Sequence, residues 1–187
     1  MDLFPTSAYD QHSSESDLRQ VPNTQEVLLY PDSGKSIILE VLKKVEPTGA
    51  EDAARYAHSG GTSRIMLTPG GCRFHFDSIA HDSDAEAKNV LDVRVVPNDR
   101  GDQMPSVIVL DGTQTVKKFN ASVPDQVRIF MALYRIEDKD VDLVLVMNVP
   151  IISQDGGAIS GQDISIAQKE FETAALSLRI IDFGLFV

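Results

Sequence analysis

Residues 126–136 read QVRIFMALYRI, residues 141–149 read VDLVLVMNV, and the link between them, Glu137, Asp138, Lys139 and Asp140, is wholly charged. Branched and aromatic side chains in both runs suit an extended, half-covered surface, and the charged link has nothing apolar to bury. The two runs are therefore expected to form an antiparallel hairpin. Residues 143–149 are apolar at both parities except at Asn148, the pattern of a central strand covered on each side.

Working outward, Ile164, Ala167, Phe171, Ala174 and Leu178 recur every three or four residues, which predicts the apolar stripe of a C-terminal helix. Near the other end, residues 25–30 and 36–45 flank Pro31, Asp32, Ser33 and Gly34, a turn-forming cluster that predicts a hairpin. Ile37, Ile38, Val41, Leu42 and Val45 also fit one helical face; the β-branched content and the preceding turn favour a strand. Residues 59–71 hold four glycines and one proline, which reads as a loop. Residues 77–89 are rich in Ala, Asp and Glu and suit a helix with Asp77 or Ser78 at its start, followed by a strand through Leu91, Val93 and Val95. Asp111-Gly112, between residues 107–110 and 113–119, fits a type I′ hairpin turn. The sum is an α+β fold, an antiparallel sheet with helices packed on its faces.

Composition narrows the function classes. The 187 residues include 17 basic and 28 acidic side chains, a formal charge of −11, with 42% hydrophobic and 24% charged residues. That is the balance of a single folded domain, and the acidic excess repels a phosphate backbone, so nucleic acid is not an expected partner. No apolar run approaches the roughly 20 residues of a spanning helix, and no export signal is expected in the polar N-terminal residues. Cys72 is the single cysteine, which excludes an internal disulfide. Residues 1–15 are expected to be a flexible arm, with a short capped turn at Ser16 opening a domain over residues 16–187.

Catalytic signatures fail on spacing. Gly34-Lys35-Ser36 lacks the further glycine of a phosphate loop, with Leu29 in its place, and Gly156, Gly157 and Gly161 miss the dinucleotide fingerprint. Ser, His and Asp are present without a nucleophile elbow. His75, Asp77, His81, Asp82 and Asp84 could ligate a divalent ion, but His75 and His81 do not share a helix face. A metal-binding or hydrolytic domain built on His75 and His81 is the alternative reading, and solvated helix polarity the ordinary one.

One stretch says more. Asp17-Leu18-Arg19-Gln20-Val21-Pro22-Asn23-Thr24-Gln25-Glu26-Val27 resembles the signature of the Mog family of Ran-binding proteins, the guanine-nucleotide release factors of nuclear transport, with Asn23 in place of the usual aspartate. The similarity continues, in order, through SIILE at 36–40, FHFD at 74–77, LDGTQ at 110–114, ALYRI at 132–136, VDL at 141–143 and NVP at 148–150. Two departures are the shorter polar segment after Leu3-Phe4, where the family has a hydrophobic first strand, and a segment inserted at about residues 57–72; a third is Lys43, where the family often has an acid. The resemblance implies about six antiparallel strands between helices, an α/β/α sandwich similar to PsbP. It also implies binding to the GTPase Ran, promotion of nucleotide release without bond chemistry, support of nuclear protein import, and a location in nucleus and cytoplasm. Asp17, Glu26 and Glu40 are then expected to form one acidic face toward Ran, with Arg19, Asn23 and Gln25 in the same contact. No cofactor, nucleic acid or membrane is expected, and the chain is expected to be a monomer.

Overall fold

The computed structural model describes residues 24–45, 70–117, 123–154 and 156–186. Six strands form one sheet: β1 (Gln25–Leu29), β2 (Ser36–Lys43), β3 (Ala85–Val96), β4 (Val107–Val116), β5 (Asp125–Ile136) and β6 (Val141–Ile152). Their spatial order is β1-β2-β6-β5-β4-β3 and every neighbouring pair is antiparallel. Helix α1 (Gly70–Asp82) connects β2 to β3, and helix α2 (Gly161–Ser177) follows β6.

The expected central hairpin is β5–β6, turned by a short 3-10 segment over Glu137–Lys139 and by Asp140 in the left-handed region. Strand alternation sorts its side chains onto two faces. On one, Ile129, Met131, Leu133, Val144 and Val146 pack with Ile108 and Leu110 of β4 under Cys72 and Phe76 of α1. On the other, Phe130, Ala132, Tyr134, Leu143, Leu145 and Met147 pack under Ala167, Phe171 and Ala175 of α2. A sheet with an apolar stripe against each face is the three-layer α/β/α sandwich the sequence leads one to expect. Phe130 and Phe171 stack with ring centroids 5.8 Å apart, and the Tyr134 hydroxyl donates to the Ala175 carbonyl, tying β5 to α2. Cys72 is buried and free, its thiol pushed up to about 12 chiefly by burial, so it stays protonated at neutral pH.

Three expectations are corrected. The helix expected over residues 77–89 covers Gly70–Asp82; Asp77 and Ser78 lie within it, not at its start. Asp84, at φ 49°, then turns the chain into β3, which begins at Ala85. Glu86, Lys88 and Asn89 are exposed because β3 is an edge strand, and such charged, exposed residues blunt an open edge.

The glycines of the expected loop have a packing reason where they can be seen. Gly70 and Gly71 are the buried opening of α1, and a Cβ on Gly71 would run into the Arg135 guanidinium. The rest of that loop, the arm over residues 1–15 and the turn at Ser16 lie outside the described residues.

Asp111-Gly112 is no turn. Both residues sit inside the continuous strand β4, where Asp111 accepts 2.6 and 2.7 Å hydrogen bonds from Arg128 Nε and Nη2 of β5. A Cβ at Gly112 would lie 2.7 Å from Phe76 Cζ and 2.9 Å from the Asn89 carbonyl. Opposite the pair, β3 shifts register between Val90 and Asp92. The glycine marks a close approach of helix to sheet beside a bulge. Gly112→Ala is accordingly expected to lower stability by about 1–3 kcal/mol, the usual result of overpacking a filled site, as read from urea unfolding. A variant as stable as the parent would refute this packing role.

Candidate functional site

The signature segment enters the described structure at Thr24 and continues as β1, the edge strand of the sheet. Gln25 pairs with Glu40, Glu26 with Leu39 and Val27 with Ile38. Paired residues of antiparallel strands point to the same side, and neighbours along a strand to opposite sides. Gln25 and Glu40 therefore share the α1 face, while Glu26 projects from the α2 face beside Leu39. The expectation of one acidic face is corrected to this extent: Glu26 and Glu40 lie on opposite sides of the β1–β2 edge. Asp17, Arg19 and Asn23 lie outside the described residues.

Each face of that edge carries a hollow. On the α2 side an apolar groove of about 650 Å³ runs between Leu39, Val41 and Leu143 of the sheet and Ile180, Leu185 and Phe186 of the C-terminal segment. On the α1 side a cavity of about 270 Å³ opens between β2 and the helix, with Glu40, Leu42, Phe74, Ile79, Asp82 and Val144 in its wall. Glu40 is half-buried, and no hydrogen bond or ion pair to its carboxylate is found among the described residues. Its carboxyl sits above the ordinary glutamate value, first because burial disfavours the charge; His75 opposes that shift and the nearby Asp82 carboxylate adds to it.

Behind the cavity lies a buried polar cluster that the sequence reading missed. Asp142 of β6 is fully buried; its Oδ1 accepts from Arg135 Nε at 2.9 Å, and its Oδ2 from Arg135 Nη2 at 3.1 Å and the Val45 amide at 3.2 Å. His75 Nε2 of α1 lies 2.9 Å from the same Oδ2. Arg135 Nη2 also donates to the Val45 carbonyl at 2.9 Å. Burial pushes the Asp142 carboxyl up, but the hydrogen bonds from His75, Arg135 and Val45 together with the Arg135 charge outweigh it, and the carboxyl titrates below its ordinary value. The cluster ties α1, the end of β2 and the β5–β6 turn to one another, which fixes the wall of the cavity. A visible signal existed: of the three charged residues inside the two apolar runs, Arg128, Arg135 and Asp142, the last two are placed symmetrically about the charged link.

The same geometry bears on the alternative reading. His75 is buried against Asp142, whereas His81 is exposed in the last turn of α1. Among the described residues no group of three or more His, Cys, Asp or Glu side chains is placed to hold a metal ion. Likewise, among the described residues no helix is long and apolar enough to cross a membrane.

The likeness to known proteins extends well beyond the signature segment. The sequence profile of the family described as Ran-interacting Mog1 protein matches residues 4–150. The chain belongs to the Mog1 family. It is 28% identical over 197 residues to the Ran guanine nucleotide release factor of Danio rerio, covering 98% of this chain and 93% of that one. To the Ran guanine nucleotide release factor of Homo sapiens it is 29% identical over 191 residues, covering 98% and 90%. Among solved structures, the Saccharomyces cerevisiae Ran-binding protein Mog1p superposes with a TM-score of 0.54 at 19% identity, over 91% of this chain and 86% of that chain, a likeness of fold. Within this family member the matched residues 25–27 form an open strand edge, with hollows on both sides.

Proposed function

We propose that the chain binds the GTPase Ran and promotes release of its guanine nucleotide, in support of nuclear protein import, acting as a monomer in nucleus and cytoplasm. The observation that carries this reading is the family match over residues 4–150, whose signature continues onto the exposed edge strand β1. Release of this kind needs no bond chemistry. Protein and nucleotide each lower the other's affinity for the GTPase by the same factor, so a binding surface is sufficient. The acidic residues suit a basic patch on the partner, with Glu26 and Glu40 gripping it from the two sides of the edge. Asp17, Arg19, Asn23 and Gln25 belong to the same proposed contact.

The test is release of fluorescent GDP and GTP from purified Ran, together with capture by Ran loaded with GTP, loaded with GDP or stripped of nucleotide. Acceleration of release and capture of at least one form are expected; neither occurring would refute the reading. Glu26→Lys places like charges together and is expected to weaken Ran binding by about 2 kcal/mol, roughly thirtyfold, with stability changed by only about 0.5 kcal/mol because the position is exposed. Glu86→Lys, exposed on the opposite edge strand β3, is the control. Wild-type release by folded Glu26→Lys would remove Glu26 from the interface.

A further inference from the structure

β1 and β3 lie at the two ends of the sheet, and their outer edges differ in what they offer. β3 carries Glu86, Lys88, Asp92 and Arg94 and shifts register twice, between Ala85 and Ala87 and between Val90 and Asp92. Charges and bulges of this kind keep another strand from adding to an edge. β1 is short but has neither bulge nor charge cluster: its five residues pair with β2 without a register shift, Glu26 is its one charged residue, and Leu28 and Leu29 are 64% and 76% exposed. The bonding pattern fixes which backbone groups of β1 face outward. The Val41 amide donates to the Thr24 carbonyl at 2.9 Å, and the Tyr30 amide to the Lys35 carbonyl at 3.1 Å. Antiparallel strands bond to one neighbour at every second residue, so between those two ends Glu26 and Leu28 turn their N–H and C=O toward β2. Gln25, Val27 and Leu29 turn theirs away from the sheet. Among the described residues no strand lies beyond β1, and no hydrogen bond to those outward groups is found.

We infer that the outer edge of β1 takes up an extended segment of the bound partner as a further strand of the sheet, joined main chain to main chain at Gln25, Val27 and Leu29. The inference rests on the proposed contact with Ran and names the kind of bond that makes it. Strand addition draws its affinity from backbone hydrogen bonds and its selectivity from side chains at alternating positions. Leu29 projects on the α1 face with Val27, and Leu28 on the α2 face. The incoming segment therefore needs apolar side chains at two consecutive positions, one for each leucine, and their burial adds to the backbone bonds.

Charge and continuity select this occupant. A second copy of the chain would bring together two molecules that each carry a formal charge of −11, and that repulsion works against pairing β1 with itself. A segment of the GTPase meets no such obstacle, and the edge is continuous with the proposed interface, because the signature that begins at Asp17 runs into β1 at Gln25, Glu26 and Val27. The pairing uses the main chain of Gln25 and Val27, whatever their side chains contact.

The experiment follows amide hydrogen exchange by NMR in the whole isotope-labelled protein, alone and saturated with Ran. Alone, the outward amides of Val27 and Leu29 are expected to exchange fast and the inward amides of Glu26 and Leu28 slowly; bound Ran should slow Val27 and Leu29 by at least about tenfold. Leu29→Pro removes an outward donor without removing a bond to β2, whereas Leu29→Ala truncates the same side chain and keeps the N–H. The proline variant should bind Ran at least about tenfold more weakly than the alanine variant. Should Leu29→Pro disturb the fold, exchange in the unmodified chain decides. Ran bound with Val27 and Leu29 exchanging as before, or folded Leu29→Pro binding Ran as well as Leu29→Ala, overturns the pairing and leaves the proposed function standing. Slow exchange of both amides in the free chain at every dilution, the mark of an edge covered by the chain's own residues, overturns it too. Slowing that grows with protein concentration in the absence of Ran overturns it in favour of a second copy. No binding of Ran by the unmodified chain overturns the proposed function, and this pairing with it.

Discussion

Asp142→Asn is expected to be among the most damaging single changes near the site, lowering stability by about 3–5 kcal/mol. Removing one member of a buried ion pair leaves the other charge in a medium that cannot solvate it. Arg135 would keep its bond to the Val45 carbonyl but lose the carboxylate it meets through both Nε and Nη2. A marginally stable domain has on the order of 5–15 kcal/mol in all, so such a loss is visible at room temperature in a urea melt. Replacing both partners, Asp142→Leu with Arg135→Met, should recover a large part of it, because no stranded charge then remains. If Asp142→Asn unfolds at the parent's urea midpoint, the cluster contributes nothing to stability.

The same cluster sets a sign for acid sensitivity. The folded Asp142 carboxyl titrates below its ordinary value, so the unfolded chain binds the proton more readily. Its contribution is fully present above the ordinary aspartate range and is lost as pH falls through that range toward the lower folded value. The parent should therefore lose stability more steeply on acidification than the double replacement. Parallel curves would refute the assignment.

How legible the site was depends on what kind of signal each residue leaves. The β5–β6 hairpin and α2 could be read because burial on a face repeats at the period of the element, as with Ile164, Ala167 and Phe171. The β1–β2 hairpin announced itself by its turn residues. The alternation of Leu91, Val93 and Val95 correctly marked a strand, but α1 and the start of β3 were misplaced, because the signals there are not periodic. Gly71 at the opening of α1 answers to Arg135, far away in sequence, and β3 opens with the exposed Glu86 and Lys88 because it lies at an edge. Asp111-Gly112 has turn chemistry, yet an ion pair to Arg128 and the approach of Phe76 decide its conformation instead. At the site, Glu26 and Glu40 could both be picked out by resemblance, but their placement on opposite faces follows only from the pairing register of β1 with β2, which no composition or spacing fixes. The Asp142 cluster was within reach, since a charge in an apolar strand must be paired or neutralised, and equal distance from a turn makes Arg135 and Asp142 partners.

Phe76 is where fold and site meet, and a double-mutant cycle with Gly112 should show it. The side chain is fully buried, and α1, which it anchors, also carries Phe74, Ile79 and Asp82 of the cavity wall. Phe76→Ala is expected to cost about 3–5 kcal/mol, the transfer energy of the ring plus the void it leaves. Gly112 touches that ring from below, so the methyl added by Gly112→Ala would occupy part of the vacated space. The Asn89 carbonyl, also 2.9 Å from that methyl, stays in place and keeps the rescue incomplete. The double variant should be more stable than the sum of the single losses predicts, by about 0.5–3 kcal/mol, the range found for residues in direct contact. Strict additivity in urea unfolding would mean that Phe76 and Gly112 do not press on each other.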